Sequence, residues 1–447
     1  MQENKQDLTD GSLWKKILLF SIPLMISNVL QVLFNMADIA VVGRFAGSEA
    51  LGAVGSTATL VALFTGILIG ISGGINVLVA LHIGAKSTKD LKETVHTAAL
   101  VSFVVGVVLL AVGVIFTEDI LVLLNTKEEL IDGANRYLAI YFLGMPALAL
   151  YNFGNAVFSA AGDTKRPLVY LAIAGAINVV LNLFFVIVCG MDVEGVALAS
   201  VISQYISAIL VVGNLMVCKE DYGLSIKDLR IYKSKLMAIA TLGFPAGMQN
   251  AIFQIANLFV QVGVNSFSAT MVEGNSAAAN ADALVYDVMA AFYVACGTFM
   301  SQNYGAKKKE RVLKSYFISL AYSFGAGLVM GVTLVVFGEA FLGLFTTEAV
   351  VVEAGMKRLT IMGLSYCISA FMDCTIAASR GLGKTIVPTF VVIMGSCVFR
   401  IIWVHTIFAY FKTIPSLYLL YVFSWSITAL AEMVYFVWVY RDAMKKI

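Results

Sequence analysis

An all-α integral membrane fold, with twelve transmembrane helices in two six-helix lobes related by a parallel pseudo-two-fold repeat, is predicted by three observations. Hydrophobic residues make up 60% of the 447 positions and charged residues only 13%, against about a quarter charged in soluble domains. Charge-poor stretches of about 20 residues, the length that crosses a bilayer as a helix, recur along the whole chain. Landmarks also repeat about 222 positions apart. Ser21-Ile22-Pro23 with Asn28 and Asn35 returns as Gly243-Phe244-Pro245 with Asn250 and Asn257. Gly84-Ala85-Lys86 returns as Gly305-Ala306-Lys307, and Gly162-x-Thr164-x-x-Pro167 as Gly383-x-Thr385-x-x-Pro388. The chain is therefore a duplicated membrane bundle, an architecture common among transporters.

The helices fall near residues 13–43, 51–83, 93–117, 132–160, 167–190 and 195–218 in the first half. In the second half they fall near 235–268, 276–304, 311–338, 353–381, 388–411 and 415–440. Residues 1–218 form one expected lobe, 219–235 a basic inter-lobe linker, and 236–447 the second lobe. With both termini on one side, 23 of the 30 Lys and Arg residues share that side, which places both termini in the cytoplasm of a bacterial plasma membrane. The polar residues before the first helix lack a basic segment followed by a cleavage site, so that helix is expected to stay in the mature protein. Six helices per half is an even number. The two halves thus enter the membrane in the same direction, and alternating access by rocking lobes is expected.

The three histidines and six cysteines show neither CxxC nor HExxH spacing. No metal, disulfide framework or resident cofactor is expected. The expected surroundings are the lipid bilayer and a small amphipathic or cationic substrate, with a monomer as the working unit and no nucleic acid.

Asn35-Met36-Ala37-Asp38 with Val42-Gly43-Arg44 and Ala50-Leu51-Gly52-Ala53-Val54-Gly55, then Gly162-Asp163-Thr164-Lys165-Arg166-Pro167, then Gln302-Asn303-Tyr304-Gly305-Ala306-Lys307, occur in this order at these intervals. Together they resemble signatures of the multidrug and toxic compound extrusion (MATE) family, over essentially the whole chain. The resemblance implies export of organic cations and other amphipathic compounds in exchange for protons or sodium ions.

A charge at a helix centre costs about 2.5–3.5 kcal/mol on insertion scales, so each intramembrane carboxylate needs a reason. Asp38 lies about 7 Å below the outer end of the first helix at 1.5 Å per residue. Tyr137, Asn178, Asn182 and Ser200 reach similar depths and are expected to converge on it. By resemblance Asp38 matches an aspartate tied to cation coupling, Asn178 an asparagine beside it, and Ser200 a position that often carries a hydroxyl. Asn182 stands where several relatives carry aspartate. That departure leaves one formal negative charge, favouring H+ as the coupling ion over Na+, which prefers several charged oxygens. For Asn178, Asn182 and Ser200, interhelical bridging stands beside the functional reading.

The second half holds Asp282, Asp287, Asp373, Arg400 and Glu432, a possible second ionisable cluster. Asp282 resembles an acidic position of bacterial family members, while the glutamate that some sodium-coupled relatives carry on the seventh helix is missing. Arg400 is expected to pair with Asp287, Asp373 or Glu432 as a structural ion pair. Pro23 and Pro245, near the cytoplasmic ends of the first and seventh helices, are candidate hinges. Gly70, Gly73 and Gly74 are expected to let helices approach closely.

Three alternatives remain beside a proton-driven exporter: sodium-driven export, a flippase for lipid-linked saccharides, and an intramembrane enzyme. A flippase must hold a pyrophosphate and is expected to carry several intramembrane Arg or Lys residues, where the sequence offers only Arg400. An enzyme needs clustered carboxylates or a nucleophile with its base, and no DDxxD, GxSxG or HExxH string occurs.

Overall fold

The computed structural model describes residues 7–123 and 126–447, and among these it contains twelve helices long and apolar enough to cross a membrane. In the first half they are α1 (Leu13–Ala46), α2 (Ser48–Gly84), α3 (Thr88–Val122), α4 (Glu128–Ala160), α5 (Lys165–Val188) and α6 (Val193–Val217). The second half adds α7 (Lys233–Asn265), α8 (Ala269–Gly305), α9 (Lys309–Leu342), α10 (Ala349–Gly381), α11 (Ile386–Phe411) and α12 (Ile414–Lys445). The number and order of spans follow the hydropathy, but several helices run longer than the apolar windows. α3 begins at Thr88 rather than 93, and α8 at Ala269 rather than 276. Polar turns such as Thr88–Lys92 stay helical because their side chains extend into water while the backbone keeps its internal bonds.

The duplication is visible in the backbone. Gly162 and Gly383 follow corresponding helices with φ of 87° and 80°, and Lys86 and Lys307 close the repeated Gly-Ala-Lys turns with φ of 54° and 58°. Left-handed backbone at a lysine is uncommon. Its recurrence in both halves shows one turn design used twice.

Packing divides the chain into two compact units, and the division does not fall at the 219–235 linker expected from sequence. One unit contains Ile26–Gly247; the other contains Leu8–Met25 and Met248–Ile447. Each repeat thus yields the first part of its leading helix to the opposite unit, and the change of unit comes two to three residues after Pro23 and Pro245. Both prolines lie inside unbroken helices.

In the first unit the linker is docked rather than loose. Thr88 Oγ1 donates to Asp221 at 3.0 Å, the Ser225 N–H meets His96 Nε2 at 3.1 Å, and the Tyr232 N–H donates to Thr97 Oγ1 at 3.1 Å. Lys235 Nζ pairs with Asp90 at 2.5 Å. In the second unit the leading segment is held as firmly. Arg311 donates to the carbonyls of Leu8, Asp10 and Gly11, and Lys308 to that of Thr9. Phe20 meets Phe299 edge to face at a centroid distance of 5.4 Å.

Within the first unit α2 and α7 cross on glycines. A Cβ on Gly74 would stand 2.6 Å from the Gly243 nitrogen, and one on Gly70 would collide with the Gly247 backbone. Gly73, grouped with them from sequence, faces open space. Outward-facing residues of α3 such as Val104, Val108 and Ile115 are exposed, as lipid-facing positions must be.

A leucine at Gly74 is expected to force α2 off α7 and to destabilise the protein by at least the 1–3 kcal/mol typical of overpacking, whereas Gly73→Leu should be nearly neutral. Thermal unfolding of the two purified variants in detergent checks this; equal stability would mean the crossing is looser than described.

Candidate coupling site

The first unit gathers the expected polar residues into one pocket. Asp38 is half-buried on α1, one turn before the chain relaxes into a π-helical stretch at Val42–Ala46. Asn178 and Asn182 stand one turn apart on α5, just before a second π-helical stretch at Phe184–Val188. Asn182 Nδ2 donates to Asp38 Oδ1 and to Asn178 Oδ1, the latter at 3.3 Å. Ser200 on α6 donates to Asp38 Oδ2 at 3.4 Å and accepts from Asn178 Nδ2 at 3.4 Å. Tyr137 on α4 is buried within electrostatic reach of Asp38 and stacks on Tyr141 at 5.7 Å.

The arrangement is a carboxylate surrounded by neutral dipoles. Its direct hydrogen-bond partners are an amide and a hydroxyl, and no cation pairs with it among the described residues. Asn182, fully buried, leaves its Oδ1 without a hydrogen-bond partner. An orphan acceptor beside a half-satisfied carboxylate is unfavourable at membrane depth. Two events relieve it: a proton on the carboxyl, which supplies a donor, or a cation drawn to the oxygens. Among the described residues no three His, Cys, Asp or Glu side chains are grouped as a metal site would need.

The five ionisable residues of the second unit do not form one cluster. Asp282 on α8 accepts from Arg358 Nη2 and from the Tyr366 hydroxyl, both on α10. Arg358 Nη1 donates to Asn275, which also accepts from the Tyr418 hydroxyl at 2.5 Å. This network is nearly saturated. Asp373 on α10 and Glu432 on α12 lie instead in electrostatic reach of Arg380, and Asp373 also in that of Arg400. Glu432 is fully buried and neither carboxylate oxygen has a hydrogen-bond partner among the described residues. Asp287 lies half-buried on α8.

Arg400 departs furthest from expectation. It was expected to pair with Asp287, Asp373 or Glu432, yet it forms no ion pair among the described residues. Its Nη1 donates to Asn257 at 3.1 Å, and the guanidinium lies over the rings of Tyr421 and Phe253, with centroids at 4.6 and 5.4 Å. Aromatic faces stabilise the charge where a carboxylate was anticipated. The tally of intramembrane arginines also changes. The sequence offered only Arg400 as an intramembrane arginine, but Arg358 is buried and Arg380 half-buried within α10. Both fell inside the 353–381 span, and that position was the signal that could have revealed them.

The comparisons with known proteins agree with one another. The MatE family model matches residues 23–184 and 245–406. A curated relative, the probable multidrug resistance protein YoeA of Bacillus subtilis (strain 168), is 28% identical over 400 residues, covering 87% of this chain and 86% of the relative. The FAD transporter of Shewanella oneidensis is 25% identical over 359 residues, covering 78% of each chain. Among solved structures, an outward-facing multidrug resistance MATE family transporter superposes with a TM-score of 0.91 at 20% identity, over 100% of both chains.

Removing one partner of the Arg358–Asp282 pair leaves a buried charge uncompensated. Asp282→Leu is expected to cost about 3–5 kcal/mol, and the double variant Asp282→Leu, Arg358→Met to recover much of the loss. A double-mutant cycle by thermal or denaturant unfolding measures the coupling; additive losses would show the pair to be energetically idle.

Proposed function

The chain belongs to the multidrug and toxic compound extrusion family of cation-coupled antiporters, and from that premise we propose that it exports drug-like amphipathic compounds using inward movement of protons through Asp38. It is a multi-pass transporter and not an enzyme. The observation that carries the proton reading is the composition of the pocket: one carboxylate, neutral partners, and the unpartnered Asn182 Oδ1 beside it. A single proton neutralises such a site completely. Sodium would have to accept Asp38 with the weaker oxygens of Ser200, Asn178 and Asn182, a set with one formal charge. The name of the Bacillus relative, a probable multidrug resistance protein, supports the drug-like substrate class.

In the proposed cycle the deprotonated site holds Asp38 between Asn182 and Ser200. Protonation turns one acceptor into a donor, so the amide of Asn182 turns its oxygen toward the new O–H, and the bonding of α1 to α5 and α6 is rearranged. That change in helix-to-helix bonding couples protonation to movement. The moving lobes proposed are the repeats 1–218 and 236–447 with their leading helix segments exchanged, 8–25 moving with the second and 236–247 with the first, both termini lying in the cytoplasm. The 219–235 segment joins them but travels with the first unit, to which it is bonded. Bending then falls beside Pro23 and Pro245, where each helix passes from one packing unit to the other.

The magnitudes suffice. One charge crossing 100 mV releases about 2.3 kcal/mol, and a tenfold gradient costs about 1.4 kcal/mol, so the potential alone sustains roughly fifty-fold accumulation of a neutral substrate.

Asp38→Asn keeps an acceptor for Asn182 and is expected to fold normally while losing gradient-driven efflux by at least tenfold. Proteoliposome efflux of a fluorescent dye, with a folded variant confirmed by size exclusion, checks this; full transport would remove Asp38 from the mechanism. In the same vesicles an imposed proton gradient should drive efflux of the wild type, and a sodium gradient at clamped pH and potential should not. The reverse result would assign the pocket to sodium.

A further inference from the structure

Three guanidinium groups of the second unit lie in membrane-spanning helices; only Arg358 forms an ion pair among the described residues, and Arg400 lies in electrostatic reach of Asp373. Arg358 is bonded to Asp282, and Arg380 bonds Gln249 and lies in electrostatic reach of Glu432 and Asp373. Arg400 is 3% exposed, bonds the neutral Asn257 through Nη1, and, like Arg358 and Arg380, leaves Nε without a hydrogen-bond partner among the described residues. A desolvated guanidinium with unused donors is costly, and positions of this kind inside membranes mark ligand or ion paths.

The surroundings orient the group rather than neutralise it. Tyr421 and Phe253 lie against the guanidinium, and Asn257 occupies one Nη. The helix around Arg400 is itself irregular, since the short α-helical piece Phe399–Trp403 is flanked by π-helical stretches at Ile393–Val398 and Val404–Phe408. Wide turns of this type concentrate at functional sites because they free backbone bonds and let side chains shift. The Nε edge of a guanidinium presents two parallel N–H donors, a fork that matches the two oxygens of a carboxylate or phosphate.

We propose that Arg400 anchors an oxyanion carried by the exported compound, so that this transporter accepts organic molecules bearing a carboxylate or phosphate group on an apolar body. The inference rests on the transport reading above and extends it from amphipathic compounds in general to those with an anionic group. Tyr421, Phe253 and Asn257 hold the guanidinium in place, and the free Nε edge receives the ligand oxygens.

A matched pair of dyes tests it. Rhodamine 110 carries a free carboxylate, and rhodamine 123 is the methyl ester of the same scaffold. Fluorescence binding to the purified wild-type protein is expected to show rhodamine 110 about tenfold tighter, as a charge-assisted forked pair provides. In Arg400→Gln the affinity ratio should fall to about one, and in Arg400→Lys, which keeps the charge without the fork, to an intermediate value. Should Arg400→Gln fail to fold, the wild type and Arg400→Lys decide the matter. Equal wild-type affinities, or a ratio unchanged in the folded variants, would overturn the proposal. Competition by benzoate against phenyl phosphate then separates the two oxyanions, and lack of competition by both would also overturn it. Failure of the transport reading is seen separately, as absence of efflux of both dyes from proteoliposomes under every imposed gradient.

Discussion

Hydrocarbon offers no hydrogen bonds, and this constraint governs the molecule from backbone to site. It requires each span to be a closed ladder of internal bonds, which is why twelve long helices and few irregular segments account for the membrane part. It also requires every polar side chain at depth to find its partner within the protein. The Asp282–Arg358–Asn275 network answers that demand nearly in full, with only the Arg358 Nε left over. The Asp38 pocket, Glu432 and Arg400 answer it in part: the Asn182 Oδ1, both Glu432 carboxylate oxygens and the Arg400 Nε have no hydrogen-bond partner among the described residues.

The two repeats have used the same frame differently. Counting by the repeat offset, Arg358 stands where the first half has Tyr137, and Val260 where it has Asp38. The first half therefore carries a lone carboxylate among neutral groups, while the second carries basic and acidic residues on α8, α10, α11 and α12 with no counterpart to Asp38 on its leading helix. Duplication supplied the scaffold, and divergence placed a single carboxylate pocket in the first half and several separate ionisable groups in the second.

Much of this was legible in the chain. Span count, order and duplication follow from hydropathy and from the spaced Gly, Pro and Asn landmarks, because apolar length and turn chemistry are local properties. The convergence of Asp38, Asn178, Asn182 and Ser200 was expected from depth, and in this unit the helix rotations turn all four toward one another. The partner of Arg400 was not legible. Depth allowed three carboxylates, but helix rotation turned the guanidinium onto Tyr421 and Phe253, and rotation depends on packing across the whole unit. Arg358 was missed for a related reason: charge counting treats a residue near a helix end as surface, whereas α10 carries this one inside. The exchange of leading half-helices leaves no mark in composition at all, because both pieces of α1 and of α7 are equally apolar.

That exchange sets an order of events during synthesis. The segment Leu8–Met25 leaves the ribosome first, yet its partners Phe299 and Arg311 are made about 300 residues later, a delay of about 15–60 s at 5–20 residues per second. For that interval the opening segment is without the partners that the Leu8, Thr9, Asp10 and Gly11 carbonyls and Phe20 have in the folded chain. The newborn first half is thus an incomplete object, and its leading segment waits for α8 and α9 before it can be seated.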